Sequence, residues 1–124
     1  YRTAIGHHIP MIMLSNATYP AYDLRNAAGW SHAIGVTLLR HDLGFTGVTI
    51  TDSLNGTAAA RGVSVRSLAV RAARAGTDMI LVTGSEASTA AVFATLLADA
   101  RAGTISRTTL RTSYTRILAL KAGL

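Results

Sequence analysis

Cysteine is absent from the 124 residues, which excludes disulfides and thiolate-ligated metal sites. No apolar run approaches the roughly 20 residues needed to cross a bilayer, and no stretch has the pattern of a secretory signal. Acidic residues are scarce, six against twelve basic ones, and Glu86 is the single glutamate. The resulting charge of +6 is carried almost entirely by arginine, but in no block. Arg66, Arg71 and Arg74 fall along one helical pattern, and Arg107, Arg111 and Arg116 along another. The four tyrosines are not interleaved with them as an RNA-stacking surface requires, so the basic residues read as solvated helix faces and no nucleic-acid partner is expected.

What is present is a globular chain. Apolar residues make up 49% and charged residues 15%, enough for one domain with a moderate core. The first residue is Tyr1 rather than Met, and the chain is read as a fragment or a processed product.

Three short apolar runs organise the chain: Met11 to Leu14, Val48 to Thr51 and Met79 to Val82. Each is followed by a polar or small-residue loop and then by a helical pattern. The first helix is expected over Ser31 to Leu43, with Ile34, Leu38 and Leu39 on one side and Gly44 as the stop. The second runs from an N-cap at Ser64 to a stop at Gly76, and Val65, Leu68, Ala69 and Ala72 form its core stripe. The third covers Thr89 to Ala102, with Phe93, Leu96, Leu97 and Ala100 at that same spacing. A last helix, roughly Thr108 to Leu120, has Ser106 near its start and Leu110, Ile117 and Leu118 for burial. Strands separated by helices pair in parallel, because the crossover needs a dozen or more residues. Such a sheet is covered on both faces, which suits continuous apolar strands. The reading is an α/β fold of three βα units, whose unpaired sheet edges favour self-association.

One residue stands out chemically. Asp52 follows the second run directly, at the carboxyl end of a strand, where parallel α/β proteins place their chemistry. A carboxylate there serves as a nucleophile or base, or as the N-cap of the next helix. The other polar candidates read as structural. His7 and His8 precede the first strand, on a segment taken as extended, where neighbouring side chains point to opposite faces. His32 and His41 are nine residues apart on a helix and read as exposed. Glu86 reads as a solvated or helix-start residue, and Gly84-Ser85 as a tight turn into the next helix. Asn16-Ala17-Thr18 and Asn55-Gly56-Thr57 match the glycosylation pattern, a short match that is discounted.

The block Leu43-Gly44-Phe45-Thr46-Gly47-Val48-Thr49-Ile50-Thr51-Asp52-Ser53-Leu54 resembles the signature of glycoside hydrolase family 3, of the form L-G-F-x-G-V-V-I-(T/S)-D-(D/S)-L. Met11-Ile12-Met13-Leu14-Ser15-Asn16 with Tyr19-Pro20-Ala21 looks like that family's sixth strand and its loop. Ala69 to Val82 resembles its A-x-x-A-x-x-A-G-x-D stretch, leading into the eighth strand. The resemblance spans Pro10 to Val82 and is nearest the β-N-acetylhexosaminidase-like branch.

The resemblance implies a partial (β/α)8 barrel: residues 1–124 would be its last three βα units, strands six to eight, plus a C-terminal helix. It implies retaining hydrolysis of terminal β-linked sugars, in particular β-N-acetylglucosaminides such as those of cell-wall fragments, with Asp52 as the catalytic nucleophile. Asn16 would face the sugar, or else cap its turn through the side chain. Ser53 stands where many relatives have a second Asp, and Gly56 where the branch often has Met. No metal and no organic cofactor is implied. The branch takes its acid/base from a His on a loop upstream of these residues, so the chain alone is expected to be inactive. Two alternatives stand beside this reading. One is a β-glucosidase or β-xylosidase; the other is a non-catalytic barrel fragment acting as an interaction or sugar-binding module.

Overall fold

The computed structural model describes residues 1–123. Two four-residue strands, β1 (Met11–Leu14) and β2 (Val48–Thr51), pair in parallel from Met11 opposite Val48 to Leu14 opposite Thr51. The five α-helices are α1 (Arg2–Gly6), α2 (Leu54–Arg61), α3 (Val65–Ala75), α4 (Glu86–Arg101) and α5 (Arg107–Ala122). The fold is α/β, as the strand–loop–helix alternation implies.

The crossover from β1 to β2 contains a 3-10 turn, Ala28–Trp30, and a π-helix, Ala33–Asp42. The sequence marks a helix here but not its type. The Leu43 N–H donates to the Leu38 carbonyl at 3.0 Å, five residues back, and the Phe45 N–H reaches Leu39 at 3.0 Å. Apolar spacing over ten residues does not separate this wider helix from an α-helix.

The third apolar run is not a strand. It meets β2 at a single bridge, Ile50 with Met79. Met79 exchanges two backbone hydrogen bonds with Thr49 and Thr51. The next donor, the Leu81 N–H, goes to the Thr51 hydroxyl at 3.0 Å. Just before the bridge, the Asp78 N–H goes to the Thr49 hydroxyl at 3.2 Å. Threonine side chains thus take the N–H groups on either side of Met79, and the ladder stops at one rung. The sheet has two strands, not the three expected.

Helix α2 lies where the sequence reads as loop. Its Asn55, Gly56 and Thr57 are poor helix formers, but Leu54 and Ala58, one turn apart, are buried against the core. Tertiary burial decides the conformation. Gly62, at φ +62°, closes the helix in the left-handed region. Segment α1 and its C-cap correct the reading of His7 and His8 as extended: His7 is the C-cap and His8 has φ +54°, with both side chains exposed.

The core has two parts. Ile12 and Leu14 of β1 pack with Ile34, Leu39 and Phe45 of the crossover. Trp30 and Leu54 pack with Leu68, Ala69 and Ala72 of α3 and with Val92 of α4. The α3 stripe is therefore as expected, with Ser64 accepting the Ser67 N–H at 3.1 Å and Gly76 at φ +94°. The α4 stripe is not. Phe93 is 67% exposed and Leu97 37%, while Val92 turns inward. On α5, Leu110 and Leu118 are also exposed and Ser113 is the buried residue. Apolar periodicity marks faces that can be buried; of these, Leu96 packs against the core and Ile117 is half-buried, while Phe93, Leu97, Leu110 and Leu118 stay exposed.

Gly47, which leads into β2, has no room for a side chain. A Cβ would collide with the Pro10 carbonyl oxygen and come within 2.8 and 2.9 Å of the Phe45 ring. Phe45 is itself buried, and the Pro10 carbonyl is held by the Val48 N–H at 2.9 Å, so neither neighbour retreats without loss. Gly47→Ala is expected to destabilise the chain by about 2–3 kcal/mol, measured as a lowered urea midpoint.

Candidate active site

The carboxyl ends of β1 and β2 lie side by side because the strands are parallel and in register. The Asp52 N–H donates to the Leu14 carbonyl at 2.9 Å, so the ladder extends one residue past β2 and fixes the Asp52 backbone. The side chain is half-buried, and its Oδ1 accepts the Ser53 N–H at 2.6 Å. Oδ2 accepts no hydrogen bond from the described residues. Helix α2 starts with Ser53, not Asp52, as its N-cap, and Ser53 makes no side-chain capping bond. The capping reading of Asp52 is therefore set aside.

A polar belt runs across the strand ends. The Asn16 amide donates to the Ser53 carbonyl at 2.8 Å, and the hydroxyls of Ser53 and Thr83 are 2.7 Å apart. The Thr83 N–H in turn donates to Asn55 Oδ1 at 2.9 Å. Asn16 and Asp52, the two site residues expected from sequence, are thus brought together through Ser53 rather than by direct contact. Asn16 Oδ1 is buried beside Gly29 and has no donor.

The belt contains no second carboxylate and no imidazole. Glu86 is exposed at the first turn of α4, behind the capping residue Ser85, as expected. His32 and His41 are exposed at the two ends of the π-helix, also as expected. Among the described residues no cluster of three His, Asp or Glu side chains has metal-binding geometry. No helix among them is long and apolar enough to cross a membrane.

Two further clusters escaped the sequence reading. In the loop after β1, Asp23 accepts the Ser31 hydroxyl at 2.7 Å and the N–H groups of Arg25 and Asn26. The Ser31 bond, followed by the backbone N–H groups, holds the Asp23 carboxyl well below its ordinary range. Its folded value is depressed, so the loop gains from it at neutral pH and loses it as pH falls through the carboxylate range. Trp30, under the same loop, has the Arg61 and Arg71 guanidiniums 5.3 and 5.8 Å from its ring centre. Arg71 also donates to Asn26 Oδ1 at 3.0 Å, so this arginine is not merely solvated.

The second cluster surrounds Asp78, whose side chain is fully buried. Its Oδ2 accepts from Arg40 at 2.6 Å and from the Thr49 N–H at 2.9 Å. Oδ1 accepts from Ser113 at 2.7 Å and from Arg116 at 3.1 Å. This one carboxylate ties the π-helix, β2 and α5 together at the end of the strands away from Asp52. Arg116 therefore also departs from the solvated reading. Only the A-G-x-D stretch hinted at Asp78, and nothing local named its partners.

The glycosyl hydrolase family 3 N-terminal domain matches residues 1–120. An uncharacterized secreted glycosyl hydrolase of Arthroderma benhamiae is 36% identical over 125 residues, covering all of this chain and 35% of the relative. The structure of a family 3 β-N-acetylglucosaminidase from a Paenibacillus species superposes with a TM-score of 0.91 at 34% identity. That match covers 98% of this chain and 23% of that one. A β-N-acetylhexosaminidase from Beutenbergia cavernae gives 0.89 at 30% identity, over 98% of this chain and 36% of that one. The chain thus spans about a third of the curated relative's length. With the signature block at 43–54 carrying Asp52 past the end of β2 and the family's domain matched over residues 1–120, the chain belongs to glycosyl hydrolase family 3.

Proposed function

We propose that these residues form the nucleophile-bearing part of a retaining β-glycosidase acting on terminal β-linked N-acetylglucosamine. β1, β2 and the run at 79–82 would be strands six to eight of a (β/α)8 barrel, with the other units supplied by chain outside these residues. The observation that carries the reading is Asp52: a carboxylate at a parallel strand end, its backbone fixed by Leu14, with one oxygen held by the Ser53 N–H and the other unengaged. In a retaining reaction that second oxygen attacks the anomeric carbon while an acid protonates the leaving oxygen. Water then opens the glycosyl-enzyme. The relatives named above for N-acetylglucosaminide and N-acetylhexosaminide chemistry support the choice of sugar.

Asn16 is the proposed substrate contact. Its Oδ1 lacks a donor and a sugar hydroxyl would provide one, which requires the turn at Gly29 to yield. The belt holds Ser53, and through it Asp52, at a fixed height above the strand ends. No acid/base stands beside Asp52 here, so the 124 residues alone should not turn over substrate. Any self-association of the isolated chain would run through its open surfaces, such as Met13 at 52% exposure and Phe93.

The test compares two proteins on an aryl β-N-acetylglucosaminide: this chain, and a longer protein that contains it. Nitrophenol release is expected from the longer protein only. Release from the 124 residues alone would overturn the division of labour, and no release from the longer protein would overturn the assigned sugar.

A further inference from the structure

At the end of the molecule away from Asp52, the π-helix, α3 and α5 enclose a cleft of about 180 Å³. One water needs roughly 10–15 Å³ of such space, so the cleft has room for a polyatomic ion. Arg40, Arg74, Arg116 and His32 line it together with the hydroxyl-bearing Thr109 and Thr112, and no carboxylate does. Behind this wall Asp78 is shared between Arg40 and Arg116. Counting Arg74, three guanidiniums answer to one acid.

The surplus charge is not left to solvent alone. The Arg40 side chain is 8% exposed, and its Nε–H has no acceptor. Its terminal nitrogens are engaged with the Phe45 and Gly47 carbonyls, Thr49 and Asp78, so the Nε–H is its one unanswered donor. Burial lowers the Arg40 pKa from its ordinary value, Asp78 counters this, and the neighbouring Arg116 charge adds to the lowering. A buried cation next to a second one is stabilised by an added anion. The first turn of α5 contributes Thr108 and Thr109 to the same cleft, and its partial positive charge favours a negative ligand.

We propose that this cleft binds a small tetrahedral oxyanion of the phosphate type, held by Arg74, by Thr109 and by the first turn of α5, over the buried charge of Arg40. The site is separate from the glycosidase reading and does not depend on it.

The experiment is isothermal titration of a longer protein that contains this chain with inorganic phosphate at fixed ionic strength, set with potassium chloride. One saturable site is expected. Arg74→Gln, an exposed position whose change leaves the core alone, should weaken it about tenfold, as loss of one charged hydrogen bond implies. Arg101→Gln removes the same unit charge from α4, outside the cleft, and should change the affinity less than twofold. A glycerol phosphate arm separates sources: equal affinity indicates a phosphoryl group presented by an ester, and weaker binding indicates the free ion. Absence of saturable phosphate binding, or equal losses in the two arginine variants, would overturn the proposal.

Discussion

Asp78→Ala is expected to unfold the chain or bring it to the edge of unfolding. The carboxylate is fully buried and balances the guanidinium of Arg40, which is 8% exposed. Removing one partner of a buried pair leaves the other charge without compensation, a loss of about 3–5 kcal/mol. A domain has only about 5–15 kcal/mol in total. The Thr49 N–H and the Ser113 hydroxyl would lose their acceptors at the same time. Arg116→Met is the useful contrast, because that side chain is 24% exposed and its pairing is partly screened. Urea titrations followed by circular dichroism should rank Asp78→Ala well below Arg116→Met. Replacing both buried charges, Arg40→Met with Asp78→Leu, should recover part of the loss, since the one cation then left without its acid is Arg116, which is 24% exposed and partly solvated. Equal midpoints for Asp78→Ala and Arg116→Met would show that the cluster does not hold the fold.

The reach of the sequence follows the range of the interactions. Ser64 and Gly76 announce the ends of α3 because caps act over three or four residues, and Ser106 does the same for α5, whereas α4, expected from Thr89, starts at Glu86 behind its cap Ser85. The strand ending at Asp52 was legible from its apolar run and bounding glycines. Helix α2 was not, because its residues favour a loop and only the burial of Leu54 and Ala58 overrides them. The third strand failed for a related reason: Thr49 and Thr51 look like ordinary strand residues until their hydroxyls take N–H groups from the run beside them. At the site, Asp52 stood out by its place after the strand, while its proposed role and that of Asn16 came from the family resemblance. The Asp78 cluster was missed because its partners lie 29 to 38 positions away, and nothing in one sequence pairs residues at that distance. The same holds for Trp30 between Arg61 and Arg71.

Asp52→Asn, made in a longer protein that contains this chain, is expected to lower kcat by roughly 10⁴-fold or more, the scale on which removal of a covalent nucleophile acts. At about 1.4 kcal/mol per factor of ten, that is at least about 5.5 kcal/mol of lost transition-state stabilisation. The amide is the informative replacement. It keeps an oxygen to accept the Ser53 N–H, now made at 2.6 Å by Oδ1, and leaves the backbone bond to Leu14 in place. The fold should therefore be undisturbed, with a urea midpoint close to that of the unchanged protein. Lost activity then reports on the attacking oxygen and its charge, not on the strand end. A general loss of structure would lower both quantities together. Asp52→Gly with added azide makes the distinction sharper: a small anion entering the vacated space should restore turnover and yield a glycosyl azide of inverted configuration. Asn16→Ala should behave differently, because it loosens the Ser53 carbonyl without touching Asp52, the proposed nucleophile, and its effect on kcat should remain within about 10²-fold. An Asp52→Asn enzyme with near-normal kcat would remove Asp52 from the reaction and leave it only a place in the turn before α2.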